Sequence, residues 1–98
     1  MTITHTLENE KLTISINGRL DTITAPELEA YINNYIDEIK ELVFDLKDME
    51  YTSSAGLRVF LMTSKKMASR GEMIIENVQS DVMEVFEITG FSDFLTIR

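Results

Sequence analysis

Apolar and polar residues alternate at the start of the chain. Over residues 2–8, Ile3, His5 and Leu7 fall on one side and Thr2, Thr4 and Thr6 on the other. After Asn9-Glu10 the alternation resumes, with Leu12, Ile14 and Ile16 set against Thr13, Ser15 and Asn17. Neighbouring side chains of a strand point to opposite faces, so two such runs with a short polar join predict an antiparallel hairpin. Gly18 ends it. The period then changes. Leu28, Ile32, Tyr35, Ile36 and Ile39 make one helical stripe, which predicts a helix to about Ile39. Thr24-Ala25-Pro26-Glu27 before it has the form of a capping box, with Thr24 as cap. Pro26 fits a first turn, where its missing N–H would be unpaired anyway.

Leu42 to Leu46 reads as a third strand, and Leu57, Phe60, Leu61, Ser64 and Ala68 return to helical spacing. That second helix runs to about Arg70, and Gly71 stops it. Met73 to Glu76 is a fourth strand. Ser80 is expected to cap a third helix carrying Val82, Met83 and Phe86, with Gly90 just past its end. A last strand follows at Leu95 to Ile97.

Strands alternating with helices imply right-handed parallel crossovers. Strands covered on both faces read as continuous apolar runs. Here the second faces carry Thr2, Thr4, Thr6, Thr13, Ser15, Asn17, Asp45 and Glu76, with Val43 and Ile74 as exceptions. The expected fold is a two-layer α/β domain spanning residues 1–98. It has a mostly parallel sheet of about five strands, an N-terminal antiparallel hairpin and helices on one face. In such a sheet the strand-to-helix loops share the carboxyl edge. The loops at Leu20–Thr22, Thr52–Ser54 and Val78–Ser80 are therefore expected to form one contact surface, with Asp21 and Asp48 on an acidic rim.

Composition narrows the function. A chain of 98 residues favours one domain and buries roughly 65% of its unfolded surface, enough for a core without staples. There is no cysteine, so no disulfide, thiolate metal site or thiol nucleophile. The net charge of −8 opposes nucleic acid and anionic membranes and suits a basic protein surface. No apolar run is long enough to span a bilayer, and the N-terminus lacks a signal pattern, which makes the cytoplasm the expected location. The four glycines are scattered singly, so there is no phosphate-cradling loop and no expected cofactor. The single histidine, His5, lies on a strand with no nucleophile spaced to meet it.

One segment stands out chemically. Tyr51-Thr52-Ser53-Ser54-Ala55-Gly56-Leu57 puts three hydroxyls where a strand hands over to a helix. A helix start carries unpaired N–H groups and a partial positive charge, which favour a hydroxyl cap and equally favour a phosphate. Physics alone prefers the plain cap.

Ser53-Ser54-Ala55-Gly56-Leu57-Arg58-Val59 resembles the signature of the anti-sigma factor antagonist family, the STAS domains. Gly18-Arg19-Leu20-Asp21 resembles the family's turn after the second strand, and Thr89-Gly90-Phe91 the end of its third helix. The resemblance implies a two-layer α/β fold and a regulatory binding module, not an enzyme. Aligning Gly56-Leu57 with the family's Gly-Leu puts the phospho-acceptor, and the helix cap, at Ser54. The implied partner-binding residues are Asp21, Thr22, Thr52, Ser53, Ser54, Gly56 and Leu57. The implied partners are a kinase-type anti-sigma factor or a related serine kinase, which supplies ATP and Mg²⁺, and a phosphoserine phosphatase. One version of the motif reads Asp-Ser-Ser-Gly; here Ser53 and Ala55 replace its Asp and second Ser, which makes Ser53 a competing acceptor. Within the family the alternative is a module serving another kinase and phosphatase complex or a transporter. A phosphocarrier protein, the alternative from another class, would need an exposed His at a helix start, which His5 does not offer.

Overall fold

Asn9 and Glu10 both take positive φ, 50° and 67°. That is the geometry of a two-residue type I′ turn, whose twist matches the strands it joins. It closes the hairpin of β1 (Thr2–Glu8) and β2 (Lys11–Leu20). The computed structural model describes residues 1–98. After the hairpin come α1 (Ala25–Asn33), β3 (Glu41–Thr52), α2 (Ser54–Met67), β4 (Glu72–Glu76) and α3 (Ser80–Ile88). The sheet order is β1-β2-β3-β4, antiparallel at the hairpin and parallel elsewhere.

The helices occupy one face, as the alternation predicts. Leu12, Ile14, Ile16 and Leu20 of β2 and Leu42, Phe44, Leu46 and Met49 of β3 are buried in one cluster with Leu28, Ile32, Leu57, Phe60, Val82 and Phe86 from the helices. Phe60 sits at its centre, edge-on to Phe44 at 5.0 Å between centroids and 6.0 Å from Phe86. Burying such a side chain contributes about 1.5–3 kcal/mol, which is why one layer of helices suffices. On the far face Thr2, Thr4 and Thr6 are exposed, and Thr13 and Ser15 are half-buried. Val43 is the exception, buried between Thr13 and Ile74 across the register.

Several elements differ from expectation. β2 runs past Gly18 to Leu20, and α2 stops at Met67, short of Arg70. α1 ends at Asn33 instead of Ile39; a 3₁₀ turn, Ile36–Glu38, carries Ile36 and Ile39 into the core. Asn33 and Asn34 are weak helix formers, and the tighter turn still delivers the stripe. The fifth strand reduces to one bridge, Ile75 to Ile97. Ile75 N–H donates to the Thr96 carbonyl (2.9 Å), and Arg98 N–H to the Ile75 carbonyl (2.8 Å). β3 is longer than its apolar run and reaches Thr52, because its pairing with β2 shifts twice, between Ser15 and Asn17 and between Gly18 and Arg19. Each shift inserts an extra β3 residue and restores an inward side chain, first Met49 and then Thr52.

Candidate partner-binding site

β2 and β3 end together. Leu20 pairs with Thr52, and Ser53 N–H donates to the Leu20 carbonyl at 2.9 Å. The two strand-to-helix junctions are thereby tied side by side.

In the first junction Asp21 does the capping. Its Oδ1 accepts from the backbone N–H groups of Ile23 and Thr24, each at 3.0 Å, and Ala25 N–H donates to the Asp21 carbonyl at 2.8 Å. The helical turn therefore begins at Asp21, and the expected capping box does not form. Thr24 already has helical φ and ψ (−90°, −18°), so its hydroxyl faces back, accepting from Asp21 N–H at 2.8 Å. It lies 3.1 Å from both the Asp21 carboxylate and the Arg19 carbonyl. The Thr24 backbone N–H, above all, holds the Asp21 carboxyl below its ordinary 3.8. The Thr24 hydroxyl, the Ile23 N–H and the Arg19 charge add to this, against an opposing desolvation.

In the second junction Ser53 is extended (φ −91°, ψ 175°), and its Oγ accepts from Gly56 N–H at 3.4 Å. Leu57 N–H closes the first turn on the Ser53 carbonyl at 3.0 Å. Ser53 is thus the cap, and Ser54 is the first helical residue. The expectation of a cap at Ser54 is off by one, because a cap must keep extended geometry while its carbonyl enters the helix. Ser54 is exposed and Ser53 half-buried.

The seven residues expected to contact a partner divide by depth. Asp21, Thr22, Ser53 and Ser54 reach the surface. Thr52, Gly56 and Leu57 lie buried beneath them. The Thr52 hydroxyl donates to the Ser53 carbonyl at 3.1 Å. A Cβ at Gly56 would stand 2.5 Å from Thr52 Oγ1 and 2.7 Å from Leu20 Cγ. Only glycine lets the first turn of α2 sit this close to the strand ends.

Exposed apolar residues beyond the seven also lie here. Ile23, in the turn between Asp21 and Thr24, is 86% exposed, and Met62 on α2 is 49% exposed. Only Ile23 escaped the sequence reading; it lies off the Leu28–Ile32 stripe, which was the available signal. Met62 and Met67 are both sequence candidates for an exposed position on α2, and of the two Met62 is exposed and Met67 is buried. Arg19 stacks 4.0 Å over the Tyr51 ring. A groove of about 200 Å³ between α1 and α2 is lined by Thr22, Pro26, Glu29, Ala55, Arg58 and Met62, among others. With Arg19 and Arg58 present, the rim is mixed in charge. Asp48 is exposed opposite Asn17, four residues before Thr52.

The third loop is not brought to this surface. β4 stops pairing at Glu76, opposite Asp45, while β3 continues to Thr52. The loop folds onto the middle of β3, where Asn77 Nδ2 donates to Asp45 Oδ1 (3.2 Å) and Gln79 Nε2 to the Lys47 carbonyl (2.7 Å). Asp45 pairs with Ser15, five β2 residues from the Leu20–Thr52 pair, which is roughly 16 Å at about 3.3 Å per strand residue. Gln79, not Ser80, is the N-cap residue of α3, and its side chain makes no capping bond. No three His, Asp or Glu residues converge as metal ligands, and no helix is long and apolar enough to cross a membrane.

A family model of the STAS domain matches residues 2–98. The chain is 32% identical over 91 residues to the anti-sigma-B factor antagonist of Bacillus subtilis, covering 92% of this chain and 83% of that protein. It is 30% identical over 95 residues to the protein of the same name from Listeria monocytogenes, covering 93% and 82%. Two solved structures share the fold. The anti-sigma factor antagonist SpoIIAA in its unphosphorylated form superposes with a TM-score of 0.84 at 19% identity, over 99% of this chain and 88% of the other. The Bacillus cell fate determinant SpoIIAA in its phosphorylated form gives 0.76 at 17%, over 99% and 91%. The chain belongs to the STAS domain family.

Proposed function

We propose that this chain is an anti-sigma factor antagonist switched by phosphorylation of Ser54. Unphosphorylated, it binds a kinase-type anti-sigma factor, or a related serine kinase, through Asp21, Thr22, Ser53 and Ser54 together with Ile23 and Met62. That partner binds ATP and Mg²⁺ and transfers the phosphoryl group to Ser54; a phosphoserine phosphatase resets the chain. Thr52, Gly56 and Leu57 act from below by holding the helix start against the strand ends.

The observation that carries this reading is the placement of Ser54. It is an exposed hydroxyl on the first residue of a helix seated by Gly56 against Thr52 and Leu20. Next in sequence is Ala55, which lines the groove with Thr22, Arg58 and the exposed Met62. A phosphoserine adds about −1.5 to −2 charges. The helix dipole tolerates it, and Arg58, one turn along on the same helix, is placed to pair with it. The fold should survive, so the cost falls on the interface, where a desolvated dianion must be paired or expelled. A loss of about 3–4 kcal/mol is several hundred-fold in affinity.

The test is titration of the kinase partner with the native chain, Ser54→Ala and Ser54→Asp, with phosphopeptide mapping after kinase treatment. Ser54→Asp should bind far more weakly, and Ser54→Ala should bind normally and never switch off. Tight binding by a folded Ser54→Asp would remove charge at this helix start as the switch. Phosphate on Ser53 would move the acceptor by one residue.

A further inference from the structure

β1 is an outer strand, exposed along nearly its whole length. The two-residue turn closes on the Glu8–Lys11 pair. Hydrogen-bonded and non-bonded pairs alternate from there, so Thr2, Thr4, Thr6 and Glu8 bond to β2. The backbone N–H and C=O groups of Ile3, His5 and Leu7 consequently point away from the sheet. Natural edges are usually blunted by charge, proline or a bulge. β1 has no bulge or proline, and its one charge, Glu8, sits at its last residue beside the turn: the register runs unshifted from Thr2–Asn17 to Glu8–Lys11, and Thr2 to Leu7 contains no Lys, Arg, Asp, Glu or Pro. On a chain of net charge −8, this neutral stretch is where a second copy meets little repulsion.

The strand is also complementary to itself. Turned end for end about His5, it sets Ile3 against Leu7 of the second copy, Thr4 against Thr6, and His5 against His5. The outward N–H and C=O groups of Ile3, His5 and Leu7 then meet their equivalents in an antiparallel ladder. Leu7, 41% exposed in the single chain, would be covered by Ile3 of the second copy. The His5 ring is already fixed on the helix side, hydrogen-bonded through Nδ1 to the Tyr31 hydroxyl and 4.7 Å from the Tyr35 ring. We propose that two copies of this chain associate through β1, antiparallel about a two-fold axis at His5, into one continuous eight-stranded sheet. An isologous contact of this kind closes on itself and stops at two. Neither Ser54 nor Ile23 lies on β1, so the pair would present two open binding faces, and the inference stands apart from the proposed function.

Sedimentation equilibrium of the native chain from micromolar to millimolar concentration should show a reversible monomer–dimer equilibrium. His5→Lys sets two like charges face to face and should weaken association about tenfold or more, with the melting curve showing that the chain still folds. The register is tested by thiol cross-linking, which is unambiguous because the chain has no cysteine of its own. Thr4→Cys mixed with Thr6→Cys places thiols on a non-bonded pair about 4.5 Å apart at Cα, within disulfide reach. That mixture should cross-link at least about tenfold faster than Ser69→Cys, an exposed position off β1, because pairing raises the effective concentration. A native chain monomeric at every concentration would overturn the proposal. So would a dimer indifferent to His5→Lys, or equal cross-linking at Ser69→Cys.

Discussion

The starts of α2 and α3 look alike in sequence and differ in everything that matters for a phosphate. Each follows a parallel strand, and each has an exposed serine, Ser54 or Ser80, as its first helical residue. At α2 the cap is Ser53, bonded to Gly56 N–H, and the first turn holds no acid. At α3 the Gln79 side chain is turned away to Lys47, and Asp81 already answers the helix dipole. Beneath α2, Gly56 is pressed against Thr52 and Leu20; the first turn of α3 places Val82 in the ordinary core. A serine at a helix start is therefore not in itself an acceptor. The Gly56 seat below and a first turn without an acid distinguish Ser54 from Ser80.

This contrast can be broken at several points. The largest effect should come from charge: Ser54→Asp should lose several hundred-fold in partner affinity, about 3–4 kcal/mol, while Ser80→Asp leaves binding unchanged in the same titration. Equal losses at both would erase the distinction. Next is the seat. Gly56→Ala forces a methyl into Thr52 and Leu20 and should lower urea stability by about 1–3 kcal/mol, despite alanine's better helix propensity. Smaller again is the cap: Ser53→Ala should cost about 1 kcal/mol, whereas Ser54→Ala and Ser80→Ala stay within about 0.5 kcal/mol. The least effect concerns pH. Asp21 has its folded pKa lowered below 3.8, so its contribution is present above that value and fades as pH falls through the lowered one. Asp21→Asn should flatten the acid limb of a stability–pH curve measured below about pH 4, and an unchanged limb would show that the Asp21 turn is not ionically held.

The fold was legible because its pattern is local. Alternation in residues 2–17 set the hairpin and the bare threonine face. The stripe from Leu28 to Ile39 is buried as its spacing required, but only Leu28 and Ile32 lie on a helix; the 3₁₀ turn delivers Ile36 and Ile39. The second half of β3 was hidden by its bulges: its inward residues after Leu46 are Met49 and Thr52, three apart, which mimics neither strand nor loop. That hidden length also separates the third loop from the other two. Cap positions slipped at Thr24, Ser54 and Ser80 because side-chain preference marks a neighbourhood, and backbone geometry selects the residue. The two surface serines of the site were readable from the Ser-Ala-Gly-Leu motif. The exposure of Ile23 was not, since an apolar pattern shows what a helix buries and only weakly what a turn leaves out.

The strands stand in the sheet in the order in which they occur along the chain. A ribosome releases a polypeptide from its N-terminus, and domains begin to form during synthesis. Here every strand after the first emerges to find its neighbour already made: β2 meets β1, β3 meets β2 and β4 meets β3. No strand has to be inserted between two others, and none has to wait for a partner still to be translated. The sheet can grow sideways at the pace of synthesis, with the Ile75–Ile97 bridge added after β4.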